Sequence, residues 1–200
     1  MAHEHVEHAE HAAHIGASNK QIALLISVVA LFLAFAETLG KSAQTEAISH
    51  NVTSNDLWAF YQAKTIRMTT LETAADTVQA DLPLITNADV KAAKEKQIAA
   101  WKKTAERYDS DPEKKEGRKE LMAKAREAEH ARDLALARYH NYEIASAAFQ
   151  IAIVLASASV ITTMMVLTWT SCGVGVLGLV FLGLGLFAPT AMHLGQGGVH

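Results

Sequence analysis

Four histidines, His5, His8, His11 and His14, recur every third residue near the start of the chain, interleaved with Glu4, Glu7 and Glu10, and His3 adds a fifth imidazole. Imidazole and carboxylate together are competent ligands for zinc, nickel or copper. These four are therefore the candidate metal ligands, and a metal-responsive membrane protein is one function they would serve. An α-helix drifts by about 60° for each three-residue step, so all four cannot meet one ion. Residues 1–19 are read as a flexible, solvated tail. Glu37 is the second group of interest, because carboxylates within apolar segments mark ion or proton paths. Lys41 follows it in the favourable Glu-then-Lys order at i, i+4. Pairing at the membrane surface is the simpler expectation, and a channel or transporter subunit with Glu37 on a shared path is the alternative. Trp58, Phe60 and Tyr61 place three aromatics in four residues, more than one two-helix seam can bury. They are the candidate oligomer interface.

Other chemistry is missing. The sequence has no Gly-rich phosphate loop, no His-Glu-x-x-His zinc motif and no Gly-x-Ser-x-Gly elbow. The single cysteine, Cys172, excludes an intramolecular disulfide framework, and no cation lies near it in sequence to lower its pKa. With 18 basic and 21 acidic residues the net charge is −3, without the clustered basic surplus of a nucleic-acid binder. No enzyme, no cofactor and no nucleic-acid partner are expected.

The distribution of charge sets the architecture. Half of the residues are hydrophobic, and after Glu143 there is no Asp, Glu, Lys or Arg. Residues 144–200 are long enough for two crossings of about 20 residues each. The hydroxyls, Trp169 and Gly173 of residues 168–173 predict the turn between them, giving spans at 144–168 and 174–193 and a short tail at 194–200. An earlier span at 20–41 is bracketed by Lys20 and Lys41, about 31 Å apart along a helix, which matches a hydrocarbon core of about 30 Å. The nineteen residues before Lys20 hold no Lys or Arg, so this segment reads as a retained helix and not a cleaved signal. Tyr139, Tyr142 and Trp169 sit where interfacial aromatics belong. Of the 18 basic residues, 17 lie between Lys41 and Arg138. That bias places residues 42–143 and the C-terminus in the cytoplasm and the N-terminal tail outside.

Between the first and second spans, residues 41–143 hold 17 basic and 17 acidic residues and are rich in Ala, Lys and Glu, a composition of long helices. Leu57, Tyr61, Lys64, Met68, Leu71, Ala75, Val78 and Leu82 follow alternating steps of four and three. Leu121, Ala125, Ala128, Arg132, Ala135, Tyr139 and Tyr142 do the same on the return. Two such seams predict an antiparallel coiled-coil hairpin. Leu82-Pro83 ends the first arm, and Asn87 caps a helix over 88–109. Ser110-Asp111-Pro112 starts the return arm. The poor helix formers of residues 49–56 predict a bend or offset. The fold class is therefore all-α, with three transmembrane helices and a soluble helical hairpin between the first and second.

Several of these stretches resemble a known family. They are the run from Glu37 to Lys41, the segment Ser54-Asn55-Asp56-Leu57-Trp58-Ala59-Phe60-Tyr61-Gln62-Ala63-Lys64-Thr65-Ile66-Arg67, the charged helical middle, the Tyr139-His140-Asn141-Tyr142-Glu143 motif and the paired C-terminal spans. Together they resemble a widespread bacterial domain-of-unknown-function family of small membrane proteins. The resemblance implies the bacterial inner membrane and supplies no activity. The leading expectation is a non-enzymatic, homo-oligomeric scaffold whose partners are the lipid bilayer and further copies of itself.

Overall fold

A computed structural model describes residues 2–191, with side chains from Lys20 to Ala191. Among the described residues every regular element is helical: α1 (Ala2–Asp81), a 3-10 turn (Leu82–Leu84), α2 (Ala88–Asp109), α3 (Arg118–Thr162) and α4 (Met165–Phe187). The all-α class stands, and α1, α3 and α4 are long and apolar enough to cross a membrane. Cα proximity divides the chain into two compact units. One comprises residues up to Ala47 with those from Asp133 onward, and the other is Ile48–Arg132.

The Ile48–Arg132 unit is built from the second part of α1, all of α2 and the start of α3. Helix α1 stops at Asp81 because Pro83, in the following 3-10 turn, has no N–H to give. Asn87 starts α2 as its sequence context predicts, its side chain accepting from the Asp89 and Val90 N–H groups at 2.9 and 3.2 Å. Lys102 Nζ donates to Gln79 Oε1 at 2.7 Å, and the Lys64 ammonium lies 5.1 Å from the Tyr108 ring centroid. Rising numbers on one helix thus meet falling numbers on the other, so α2 runs antiparallel to α1. All eight members of the first seam are covered, and so are Leu121, Ala125, Ala128 and Arg132 of the second. Ile98 and Ala105 of α2 complete the buried set, seven residues apart.

Two expectations fail in this unit. Helix α1 is unbroken across residues 49–56, where a bend or offset was expected. Thr53 returns its hydroxyl to the Ser49 carbonyl at 3.0 Å, and Ser54 is small enough to be buried in the seam. Weak helix formers are carried by packing on either side. The return helix begins at Arg118, and not at Pro112 or Glu113. Its start is delayed because the Glu120 carboxylate reaches back over residues 110–117. That carboxylate accepts from Ser110 Oγ at 2.6 Å and from the Asp111 N–H at 3.2 Å. The chain crosses itself at Gly117, where an added Cβ would stand 2.6 Å from Ser110 Cα.

The other unit packs α1, α3 and α4 on small residues. Its buried positions on α1 include Ile22, Val29, Ala36 and Ala43 at seven-residue steps, with Gly40 and Ala47 four residues beyond the last two, and Ala145, Ala148, Ala152 and Ala156 are buried on α3. On α4 the buried residues are Ser171, Gly175, Gly178, Leu182 and Gly185. Buried residues recurring at steps of seven and four keep one side of α1 toward its neighbours. Phe149 lies over Gly178 and Tyr142 over Gly185. Cβ atoms at those glycines would stand 2.7 Å and 2.5 Å from the ring carbons. Phe149 also stacks on Phe32, with ring centroids 6.1 Å apart.

The turn between the last two apolar helices lies at residues 163–164, and the expected turn at 168–173 is helical, inside α4. The hydroxyls that suggested a turn are satisfied without one. Thr170 Oγ1 donates to the Val166 carbonyl at 3.1 Å, and Ser171 Oγ donates across to the Ala152 carbonyl at 2.7 Å. Thr168 Oγ1 pairs with Ser159 Oγ at 2.6 Å, and Ser159 Oγ also reaches the Met164 carbonyl at 3.2 Å. Thr163 makes the reversal at φ 54°, a left-handed conformation that costs a β-branched residue energy. Helix α4 then ends at Phe187, short of the expected boundary at 193.

The glycines of α4 give a paired test. Gly178→Ala presses a methyl into the Phe149 ring and is expected to destabilise by about 1–3 kcal/mol. Gly183→Ala meets nothing within 4 Å and is expected to be neutral or mildly stabilising. Thermal unfolding of the purified chain in detergent distinguishes them, and equal effects would contradict this packing.

Candidate functional site

Three places bring together side chains with chemical potential. The side chains of His5, His8, His11 and His14 lie outside the described residues, so the candidate metal ligands of the tail have no geometry to report. Among the described residues no group of three or more His, Cys, Asp or Glu side chains is arranged to hold a metal ion.

The first place surrounds Glu37. Its carboxylate accepts from Gln150 Nε2 at 3.4 Å, and among the described residues no ion pair joins it to Lys41. Both residues face one cavity of about 340 Å³ together with Gln44, Tyr139, Glu143 and Ser146. The cavity floor is apolar, formed by Ala36, Gly40 and Tyr142. Close by, the buried Asn141 donates from Nδ2 to the Pro189 carbonyl at 3.0 Å, tying the segment after α4 to α3. Asn141 belongs to the Tyr139-His140-Asn141-Tyr142-Glu143 motif, and nothing in that run marks it as the anchor it is. Its signal is that of an uncharged amide at a position that packing leaves no water to reach.

The second place is the aromatic cluster on α1, which splits by direction. Trp58 and Tyr61 meet edge to face with centroids 5.4 Å apart. Trp58 Nε1 donates to Glu129 Oε1 at 2.8 Å, and the Arg118 guanidinium lies 5.7 Å from the Tyr61 ring centroid. Both rings are thus engaged within the chain. Phe60 points away and is 63% exposed. Ile48, Val52 and Ile66 are also more than half exposed, so four large apolar side chains stand uncovered between residues 48 and 66.

The third place is the junction of α2 with α3. Asp109 accepts from Lys119 Nζ at 2.6 Å and from Arg118 at 3.0 Å. The Lys119 hydrogen bond, aided by the Lys119 and Arg118 charges, holds the Asp109 carboxyl below its ordinary range against a smaller burial effect. The hydrogen bond from Ser110 does the same for Glu120, helped by the backbone N–H groups of Glu120 itself and Asp111. Beside them opens a cleft of about 650 Å³ lined by Met68, Glu72, Asp76, Lys102 and Glu106 among others. Its carboxylates and cations are spread along the walls without converging on one point, and they form no nucleophile–base pair.

The lowered carboxyls set a pH dependence. A group whose folded pKa is depressed contributes stability above its unfolded pKa, and that contribution is lost as pH falls through the folded value. Stability is therefore expected to be flat near neutrality and to fall once pH drops below about 4, the ordinary carboxylate range. Glu120→Gln keeps an acceptor for Ser110 but removes the titration, so it flattens part of the acid decline. Thermal unfolding by circular dichroism between pH 7 and 3 measures this, and superimposable profiles for the two proteins would contradict it.

Comparison with known proteins extends this description. No curated protein and no solved structure matches the chain. A family model described as Domain of unknown function (DUF4337) matches residues 18–188. That span takes in every helix described above except the first residues of α1, and the chain belongs to this family.

Proposed function

We propose that the chain is a non-enzymatic, homo-oligomeric scaffold of the bacterial inner membrane. In this reading α1, α3 and α4 cross the bilayer, residues 42–143 and the C-terminus lie in the cytoplasm, and the N-terminal tail lies outside. The observation that carries the reading is the direction of the large apolar side chains. In the unit built from α1, α3 and α4, most buried positions are Ala, Gly and Ser, with Ile22, Val29, Tyr142, Phe149 and Leu182 among them, whereas Leu24 is 67% exposed and Val154 66% exposed. Leu31, Phe35, Val176 and Val180 are likewise more than half exposed. A water-soluble bundle would do the reverse, because burying Leu and Val is what stabilises it. In lipid no such gain exists between helices, and close packing of small residues takes its place.

The scaffold part of the reading rests on the exposed apolar side chains between Ile48 and Ile66. The seam of the Ile48–Arg132 unit is already covered within the chain, and Trp58 and Tyr61 are spent there. Ile48, Val52, Phe60 and Ile66 remain, rimmed by polar residues such as Asn55, Gln62 and Arg67. Ile48, Val52 and Ile66 lie within about 40° of one another around the helix and Phe60 about 80° further round. Exposed apolar side chains with polar neighbours support an interaction surface, and the partner proposed for it is a second copy of the chain. The expected mass in mild detergent or native lipid discs is a multiple of 21.6 kDa. Phe60→Glu together with Ile66→Glu is expected to reduce that mass in mass photometry while leaving helix content unchanged. A monomeric wild type would overturn the scaffold reading.

A further inference from the structure

We propose that the cavity between residues 36–44 of α1 and residues 139–146 of α3 binds the headgroup of a zwitterionic phospholipid that carries a primary amine. The inference rests on the membrane reading above and adds to it a ligand class.

Position is the first argument. On α1 the uncharged run that follows Lys20 ends at Ala36, and Glu37 is the next charged residue. On α3 the last charged residue is Glu143, and none follows to the end of the chain. Both transitions fall in the wall of the same cavity. In a membrane this is the level at which hydrocarbon gives way to headgroups.

Charge is the second. Lys41 offers one cation to the cavity, and Glu37 and Glu143 offer two carboxylates. Glu37 and Lys41 are four residues apart on one helix, yet among the described residues they make no ion pair with each other. Glu37 has only the long hydrogen bond from Gln150, and Glu143 has His140 at 3.8 Å. Acceptors and a donor are therefore open at the same place. A headgroup with a phosphate and a primary ammonium answers both: the phosphate pairs with Lys41, and the three N–H donors of the ammonium meet the carboxylates. The quaternary ammonium of a choline headgroup has no N–H to donate. An anionic glycerol headgroup has no cation and faces a wall with one more negative charge than positive.

Shape is the third. About 340 Å³ lies at the small end of the usual ligand range of about 300–1,000 Å³, suited to a headgroup and not to a whole lipid. The floor of Ala36, Gly40 and Tyr142 is buried and apolar, and the hydroxyl-bearing Tyr139 and Ser146 flank it. Acyl chains would lie against the outward apolar side chains below.

The test is native mass spectrometry of the full chain in detergent with phosphatidylethanolamine, phosphatidylcholine or phosphatidylglycerol of matched acyl chains. The ethanolamine lipid is expected to be retained preferentially. Lys41→Gln and Glu37→Gln each remove one hydrogen bond to a charged group and are expected to weaken retention about tenfold. Both positions are exposed, so the variants are expected to fold, which circular dichroism checks. Equal retention of the choline lipid, stronger retention of the glycerol lipid, or variants that bind like the wild type would each overturn the site. Binding of soluble O-phosphoethanolamine as tight as that of the lipid would overturn the lipid source. Liposome flotation separates the two levels of the argument. A chain that does not float overturns the membrane reading, whereas one that floats without headgroup selectivity overturns this site alone.

Discussion

Close approach of three apolar helices is the constraint on which the architecture depends. It requires a seam without bulk, and the chain supplies one from Ala36 and Ala43, from alanines on α3, and from Gly175, Gly178 and Gly185 on α4. Two aromatic rings then occupy the space the glycines leave, Phe149 over Gly178 and Tyr142 over Gly185. Their spacing is the same seven residues on both helices, read in opposite directions, which holds α3 and α4 antiparallel in one register. A methyl at either glycine would push a ring, and a ring that moves disturbs α1 as well, because Phe149 is stacked on Phe32. Dispersion at short range works through these close contacts to hold the unit.

Hydroxyl groups do the complementary work. Ser171 gives its proton to a carbonyl of α3, Ser159 and Thr168 close the turn, and Asn141 anchors the segment that leaves α4. Each satisfies a polar group at a place without water, and no buried side-chain nitrogen or oxygen among the described residues is left unpaired. The Ile48–Arg132 unit is organised differently. There Asp109, Arg118, Lys119 and Glu120 clasp the junction of α2 and α3 through charged hydrogen bonds, and Gly117 allows the chain to cross at the clasp.

Much of this was legible in the residues. The step pattern from Leu57 to Leu82 identified the covered face of α1, because a heptad seam has one solution on a helix. Asn87 marked the start of α2 because a side-chain acceptor before an apolar period has few other uses. The failures share a cause. Residues 49–56 and 168–173 carry poor helix formers, and local propensity read them as breaks. Packing and back-bonded hydroxyls kept both helical, since propensity is worth only tenths of a kcal/mol per residue. Glu120 was invisible as a clasp because its partners Ser110 and Asp111 come together only in the folded chain. The aromatic cluster could be located but not oriented: nothing in Trp58-Ala59-Phe60-Tyr61 tells that Trp58 has Glu129 to bond and Phe60 has nothing.

The measurement closest to the central claim asks what touches the outward apolar side chains. In a Cys172→Ser background, single cysteines at Leu31, Val154 and Val176 would be spin-labelled after reconstitution into liposomes. Their collision rates with oxygen and with a water-soluble nickel chelate would then be compared with those of a label at Phe60. Oxygen-rich, chelate-poor collisions at the first three positions are the predicted result, since the proposed membrane reading turns those side chains toward lipid. Chelate accessibility at those positions equal to that at Phe60 would contradict the account.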